Sequence, residues 1–130
     1  MHISLVVAAC LHVLTAAGWA GLTFAMARTA AAQFQQLFVP QMGAAVTAML
    51  SGGWFGYLTH RGAFGRPEQL LALGVACALM AFAIQAATGV MALRISPRPA
   101  SVGGRVVIGQ RISAGLLALT LIVMGAVRYV

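Results

Sequence analysis

Acidic residues are almost absent from this chain: Glu68 is the only one in 130 residues, and lysine does not occur at all. One carboxylate rules out the paired acids of ordinary general acid–base catalysis. It also argues against a proton-coupled transporter of the usual carboxylate type. Phosphate-binding loops are missing, and no nucleophile stands beside a base, so nothing supports a hydrolase, kinase or dehydrogenase. There are two cysteines, Cys10 and Cys77, and neither belongs to a C-x-x-C pair. Charged residues make up 7% of the chain, against about a quarter in soluble domains.

What is present is hydrocarbon: 62% of the residues are hydrophobic. Four apolar stretches are each long enough to cross a bilayer, which takes roughly 20 helical residues. They run over 3–27, 38–59, 70–93 and 106–127, and together they fill 1–130 as a single transmembrane domain. Short connectors make successive helices antiparallel neighbours. The expected fold class is therefore all-α, an integral membrane four-helix up-down bundle with both termini on one side. Val7-Ala8-Ala9-Cys10 resembles a lipoprotein cleavage box, but no Lys or Arg precedes it and the apolar run continues to Ala27. The segment is read as a retained helix.

The net charge of +7 comes wholly from arginine. Every arginine but Arg111 falls in a loop or within a residue of a span end, which suits contact with headgroups and water rather than nucleic acid. Let face X be the side of the N-terminus and face Y the other. Face Y carries Arg28, Arg94, Arg98 and Arg105, with Arg111 nearby, and face X carries Arg61, Arg66 and Arg128. Five against three favours face Y as cytoplasmic and the termini as periplasmic.

Pro40 suits the first turn of helix 2, and Thr29 to Leu37 suits a short interfacial turn. Arg94 to Arg105, with Pro97, Pro99 and Gly103-Gly104, reads as a turn-rich connector. Helices in lipid associate by close packing, so small residues mark interfaces. Ala48, Gly52 and Gly56 form such a stripe on helix 2. The inward faces expected elsewhere are His12, Thr15, Trp19, Thr23 and Met26; Gly74, Ala78, Ala81, Gln85 and Thr88; and Gln110, Ser113, Leu117, Thr120 and Met124. Gln85 and Gln110 read as interhelical glue, and Trp19 as a residue that packs inside.

The three histidines, His2, His12 and His60, all lie toward face X. Histidine within a membrane usually has a partner or a function, and neutral imidazole is a common metal and haem ligand. If helix 1 enters lipid at Ile3, His12 is roughly 13 Å deep; if it enters near Ala8, about 6 Å. In the second case His60 comes level with His12, provided helix 2 continues by a turn. The competing reading is that His12 hydrogen-bonds across helices and His60 is an ordinary interfacial residue. Cys10, Cys77, Met80 and Met124 share that half of the bundle, which raises copper against a reading of apolar filler.

Leu11-His12, Trp19, Gly21-Leu22, Phe24 and Arg28 form the pattern L-H-x6-W-x-G-L-x-F-x3-R. It resembles the opening helix of the copper-resistance protein D group of small bacterial membrane proteins, and of the related HemJ-type protoporphyrinogen oxidases. The resemblance covers about 20 residues. It implies a bacterial inner membrane location and haem b as cofactor, with His12 and Arg28 at motif positions. The HemJ pattern has an Asn-Glu pair early in its last helices, where this chain has Gln110-Arg111-Ile112-Ser113 instead. The candidate cofactor-binding set is His12, His60, Trp19 and Arg28, with His12 and His60 as metal ligands to haem iron or copper. The alternative is a non-catalytic accessory subunit whose partners are the lipid bilayer and other membrane subunits or further copies of itself.

Overall fold

The computed structural model describes residues 2–29, 33–59, 65–95 and 100–129. Four long α-helices account for nearly all of them: α1 His2–Arg28, α2 Phe34–Thr59, α3 Arg66–Arg94 and α4 Ala100–Ala126, followed by a single 3₁₀ turn at Val127–Tyr129. Among the described residues there is no strand. The chain is an all-α, membrane-like bundle. Ile3–Arg28, Arg66–Arg94 and Gly103–Ala126 are long and apolar enough to cross a bilayer. Helix α2 is as long and carries no charged residue, but glycines and glutamines lower its hydropathy.

The outer surface agrees with this. Ile3, Leu14, Val39, Leu50 and Ile122 each expose more than three-fifths of their surface. Soluble monomers rarely expose contiguous apolar patches of more than a few hundred Å². An apolar coat on every helix is what a hydrocarbon solvent permits.

Three helices begin earlier than the apolar runs suggest. Helix α2 starts at Phe34, so Phe34 to Leu37 are its first turn rather than a separate interfacial piece, and Pro40 is its seventh residue instead of lying in the first turn. Pro40 has no N–H to give to Gln36, and Gln36 is exposed, so its carbonyl is left at the bundle surface. Helix α3 starts at Arg66, where Pro67 occupies the first turn and Glu68 Oε2 accepts from the Gly65 N–H at 2.7 Å. The lone acid thus helps to start a helix, at the end where its charge suits the dipole. Helix α4 starts at Ala100, so Gly103, Gly104 and Arg105 are helical rather than part of the connector.

The chain runs up, down, up and down, as the layers show. Met26, Phe34, Phe38, Ala92 and Val106 close the face-Y end. These are the end of α1, the start of α2, the end of α3 and the start of α4. Trp19, Ala45, Ala48, Ala81 and Leu117 pack beneath them. Near face X, Gly74 of α3 faces Met124 of α4. The inward faces expected from small and polar residues are met: Trp19, Thr23 and Met26 are buried on α1, Gln110, Ser113, Leu117 and Thr120 on α4.

Candidate functional site

Between those two apolar layers lies a polar one. Trp19 Nε1 donates to Gln85 Oε1 at 2.7 Å, and Gln85 Nε2 donates to Thr23 Oγ1 at 3.0 Å. Gln41 Nε2 donates to the same Thr23 hydroxyl at 2.9 Å and to Gln110 Oε1 at 3.0 Å. Gln110 Nε2 returns a bond to Gln41 Oε1 at 3.3 Å. The Thr23 hydroxyl donates to the Trp19 carbonyl at 2.8 Å. One donor and two acceptors are all that a hydroxyl has, and all three are used. Every helix contributes a side chain, and Thr23, Gln41, Gln85 and Gln110 are fully buried.

This layer holds the bundle in register and has no acid, base or metal-ligating group in it. Among the described residues no buried side-chain nitrogen or oxygen is left without a partner. In a low-dielectric interior such a complete network is stable, whereas a half-filled one would be costly. Gln85 and Gln110 are interhelical glue as the sequence suggests, yet they do not touch each other; Thr23 and Gln41 stand between them. Gln41 was missed by sequence reasoning. The available signal was spacing: Phe38, Gln41, Ala45, Ala48 and Gly52 continue one helical face back from the small-residue stripe.

His12 lies nearer face X. It is half-buried, and its Nδ1 is 2.8 Å from the Ala48 carbonyl oxygen of α2. A carbonyl can only accept, so Nδ1 carries a proton, which, of the two neutral tautomers, selects the one whose lone pair is on Nε2. The ring rests against Gly52. A Cβ on Gly52 would sit 2.7 Å from His12 Cε1 and 2.8 Å from Nδ1. The glycine thus exists for the imidazole, not for a helix backbone. One turn further along α2, a Cβ on Gly56 would meet nothing within 4 Å. Burial on α2 stops at Ser51, so Gly56 lies beyond the part of α2 that the bundle covers.

Gly52→Ala is expected to push the ring off the Ala48 carbonyl. ¹⁵N NMR of histidine-labelled protein should show the Nδ1–H tautomer at His12, and loss of that preference in Gly52→Ala. A dominant Nε2–H tautomer in the unsubstituted protein would contradict the geometry.

The four candidates from the sequence are placed differently. His12 and Trp19 share the inner face of α1, two turns apart. Trp19 is 3% exposed and its only polar atom is committed to Gln85. Arg28 is exposed at the face-Y end of α1, about 24 Å along the helix from His12. His60 lies outside the described residues. Cys10 is exposed and Cys77 buried, and Met80 is exposed. Among the described residues, no three of His, Cys, Asp or Glu gather into a metal-binding group.

The outer side of α2 bears a shallow open hollow of about 480 Å³, lined by Met49, Leu50, Gly53, Trp54 and Tyr57. The Trp54 and Tyr57 rings lie 6.4 Å apart. Both are exposed, as an aromatic belt near face X requires. No family model, no curated protein and no solved structure matches the chain.

Proposed function

We propose that this chain is a multi-pass protein of a bacterial inner membrane that crosses four times, with α2 as the least apolar crossing, and in which His12 is a ligand to a metal centre toward face X. The centre is the iron of haem b, with copper as second choice. The role is electron transfer, metal handling or a porphyrin-linked step, as the resemblance to the copper-resistance protein D and HemJ-type group implies. One observation carries the reading: His12 Nδ1–H is pinned to the Ala48 carbonyl. Metal-ligating histidines are commonly oriented in this way, because the second-nitrogen bond fixes the tautomer and leaves the other lone pair for the metal. The open position at Gly56, one turn beyond the glycine that His12 fills, favours a flat ligand beyond that ring, and His60 stands one further turn along in the sequence. Copper ranks second because Cys10 and Met80 point outward while Cys77 is buried. Haem iron held there would supply one-electron chemistry; Trp19 and Thr23 would keep the helix that presents His12 in register.

The saturated polar layer favours a second reading, a non-catalytic subunit that packs against a larger membrane assembly. Absorption spectroscopy with elemental analysis on the detergent-extracted full chain separates the two. A Soret band, or bound copper, that disappears in His12→Ala and persists in Cys10→Ser is the expected result. A colourless, metal-free protein, or a signal indifferent to His12→Ala, would sink the ligand reading and leave the packing subunit.

A further inference from the structure

Gly109 lets α3 and α4 approach each other. A Cβ there would sit 3.0 Å from Thr88 Oγ1 and 3.1 Å from Thr88 Cγ2. Toward face Y from that approach, two side chains meet across the same pair of helices: Arg105 Nη1 donates to Met91 Sδ at 3.8 Å. The register explains the meeting. Arg105 is four residues before Gly109 on α4, and Met91 three residues beyond Thr88 on α3, each about one turn. The helices run antiparallel, so both turns lead to face Y.

Both partners are exposed. Met91 stands three residues before Arg94, the end of α3, and Arg105 two residues beyond Gly103, where the apolar stretch of α4 begins. The pair is thus within about one turn of the interface, where solutes from water reach it. A thioether is a weak acceptor, and the one acid of the chain is at the opposite end, bonded to Gly65. Oxidation of the sulfur changes the contact. In the reaction with a peroxide, a sulfur lone pair attacks one peroxide oxygen; an S–O bond forms and the O–O bond breaks. The sulfur is oxidised and the peroxide reduced. The leaving hydroxide takes the proton of the transferred oxygen and departs as water. A guanidinium already aimed at the sulfur donates to that leaving oxygen, and afterwards to the sulfoxide oxygen, in a charge-assisted bond. The product fits without movement of either helix. An S–O bond of about 1.5 Å and an N–H···O distance of about 2.9 Å, meeting at about 120°, put nitrogen about 3.9 Å from sulfur, against the 3.8 Å found.

We propose that Met91 is a site of oxidation by hydrogen peroxide, in which Arg105 promotes oxygen transfer to the sulfur and then clasps the sulfoxide, tying α3 to α4 at face Y. Arg105 lies on one side of the sulfur, so it favours oxygen transfer to the lone pair that faces it. One of the two sulfoxide epimers should therefore dominate. Met80, exposed on the same helix, serves as the internal standard. Nothing in this proposal depends on His12 or on a cofactor.

The test uses the full chain in phosphatidylcholine vesicles treated with hydrogen peroxide, with oxidation at Met91 and Met80 followed by peptide mass spectrometry. Arg105→Gln is expected to slow Met91 roughly threefold relative to Met80. Arg28→Gln, which removes the same charge from the face-Y end of α1, should leave that ratio unchanged. Arg28 and Arg105 are both exposed, so these variants spare the core. Digestion of the Met91 peptide with the two epimer-specific sulfoxide reductases should show an excess of one epimer in the unsubstituted protein and a near-even mixture in Arg105→Gln. A Met91 rate indifferent to Arg105→Gln, or slowed as much by Arg28→Gln, would overturn the proposal. So would an even epimer mixture in the unsubstituted protein.

Discussion

Gly89→Ala is expected to destabilise the bundle by about 2–3 kcal/mol, near the upper end for an overpacked core. Gly89 of α3 faces the Phe38 ring of α2. A Cβ at Gly89 would overlap Cε2 and Cζ of that ring and come within 2.9 Å of Cδ2. The ring has little room to yield. It is 7% exposed, its centroid lies 5.0 Å from that of Phe34, and it is enclosed with Met26, Ala92 and Val106. The added methyl must therefore push α2 and α3 apart at the end that closes the bundle. Reversible unfolding in mixed micelles measures the cost. Phe38→Leu, combined with Gly89→Ala, should recover part of it by removing the obstructing ring edge. If Gly89→Ala unfolds at the same denaturant concentration as the unsubstituted protein, the Phe38 packing described here is wrong.

Gln85→Leu should cost about 2 kcal/mol, through a different mechanism. It removes the acceptor of the Trp19 indole N–H and one donor to Thr23. A buried group left without its partner typically costs about 1–3 kcal/mol. Interhelical hydrogen bonds in membranes contribute only about 0.6 kcal/mol on average, because the separated helices also find partners. The orphaned indole N–H decides between these figures: it remains inside the folded bundle, 3% exposed, against a leucine side chain that cannot accept. Trp19→Phe with Gln85→Leu removes both halves of that bond, so the double variant should be less destabilised than the sum of the two single ones. Strict additivity would mean that the bond couples nothing.

Helix number, helix type and the inward faces were legible in the sequence, since hydrocarbon solvent forces helices and small residues mark where they meet. Boundaries were less so. Hydropathy tracks where lipid begins, whereas helix starts are set locally, by Pro67 and Glu68 on α3 and by whatever turn the connector allows on α2 and α4. The candidate site was legible in part. His12 was found because a histidine in an apolar helix is conspicuous. Its partner, the Ala48 carbonyl, was not, because a backbone acceptor has no sequence signature. Gln41 escaped notice for a related reason: among Gln35, Gln36 and Pro40 it looks like one more polar residue at a helix start, until the helix is extended back to Phe34 and its azimuth becomes known.

The sequence by itself determined that the chain is a bundle of long apolar helices with one polar stripe apiece, because composition and helical period follow from the residues of each segment alone. Only the tertiary structure decided how the stripes interlock. Thr23 sits between Gln41 and Gln85, Gly52 holds the His12 ring, and Gly89 receives Phe38. The physical reason is that the rotation and axial offset of one helix against the next are not properties of either helix. They are fixed when side chains from four segments satisfy one another at a single depth.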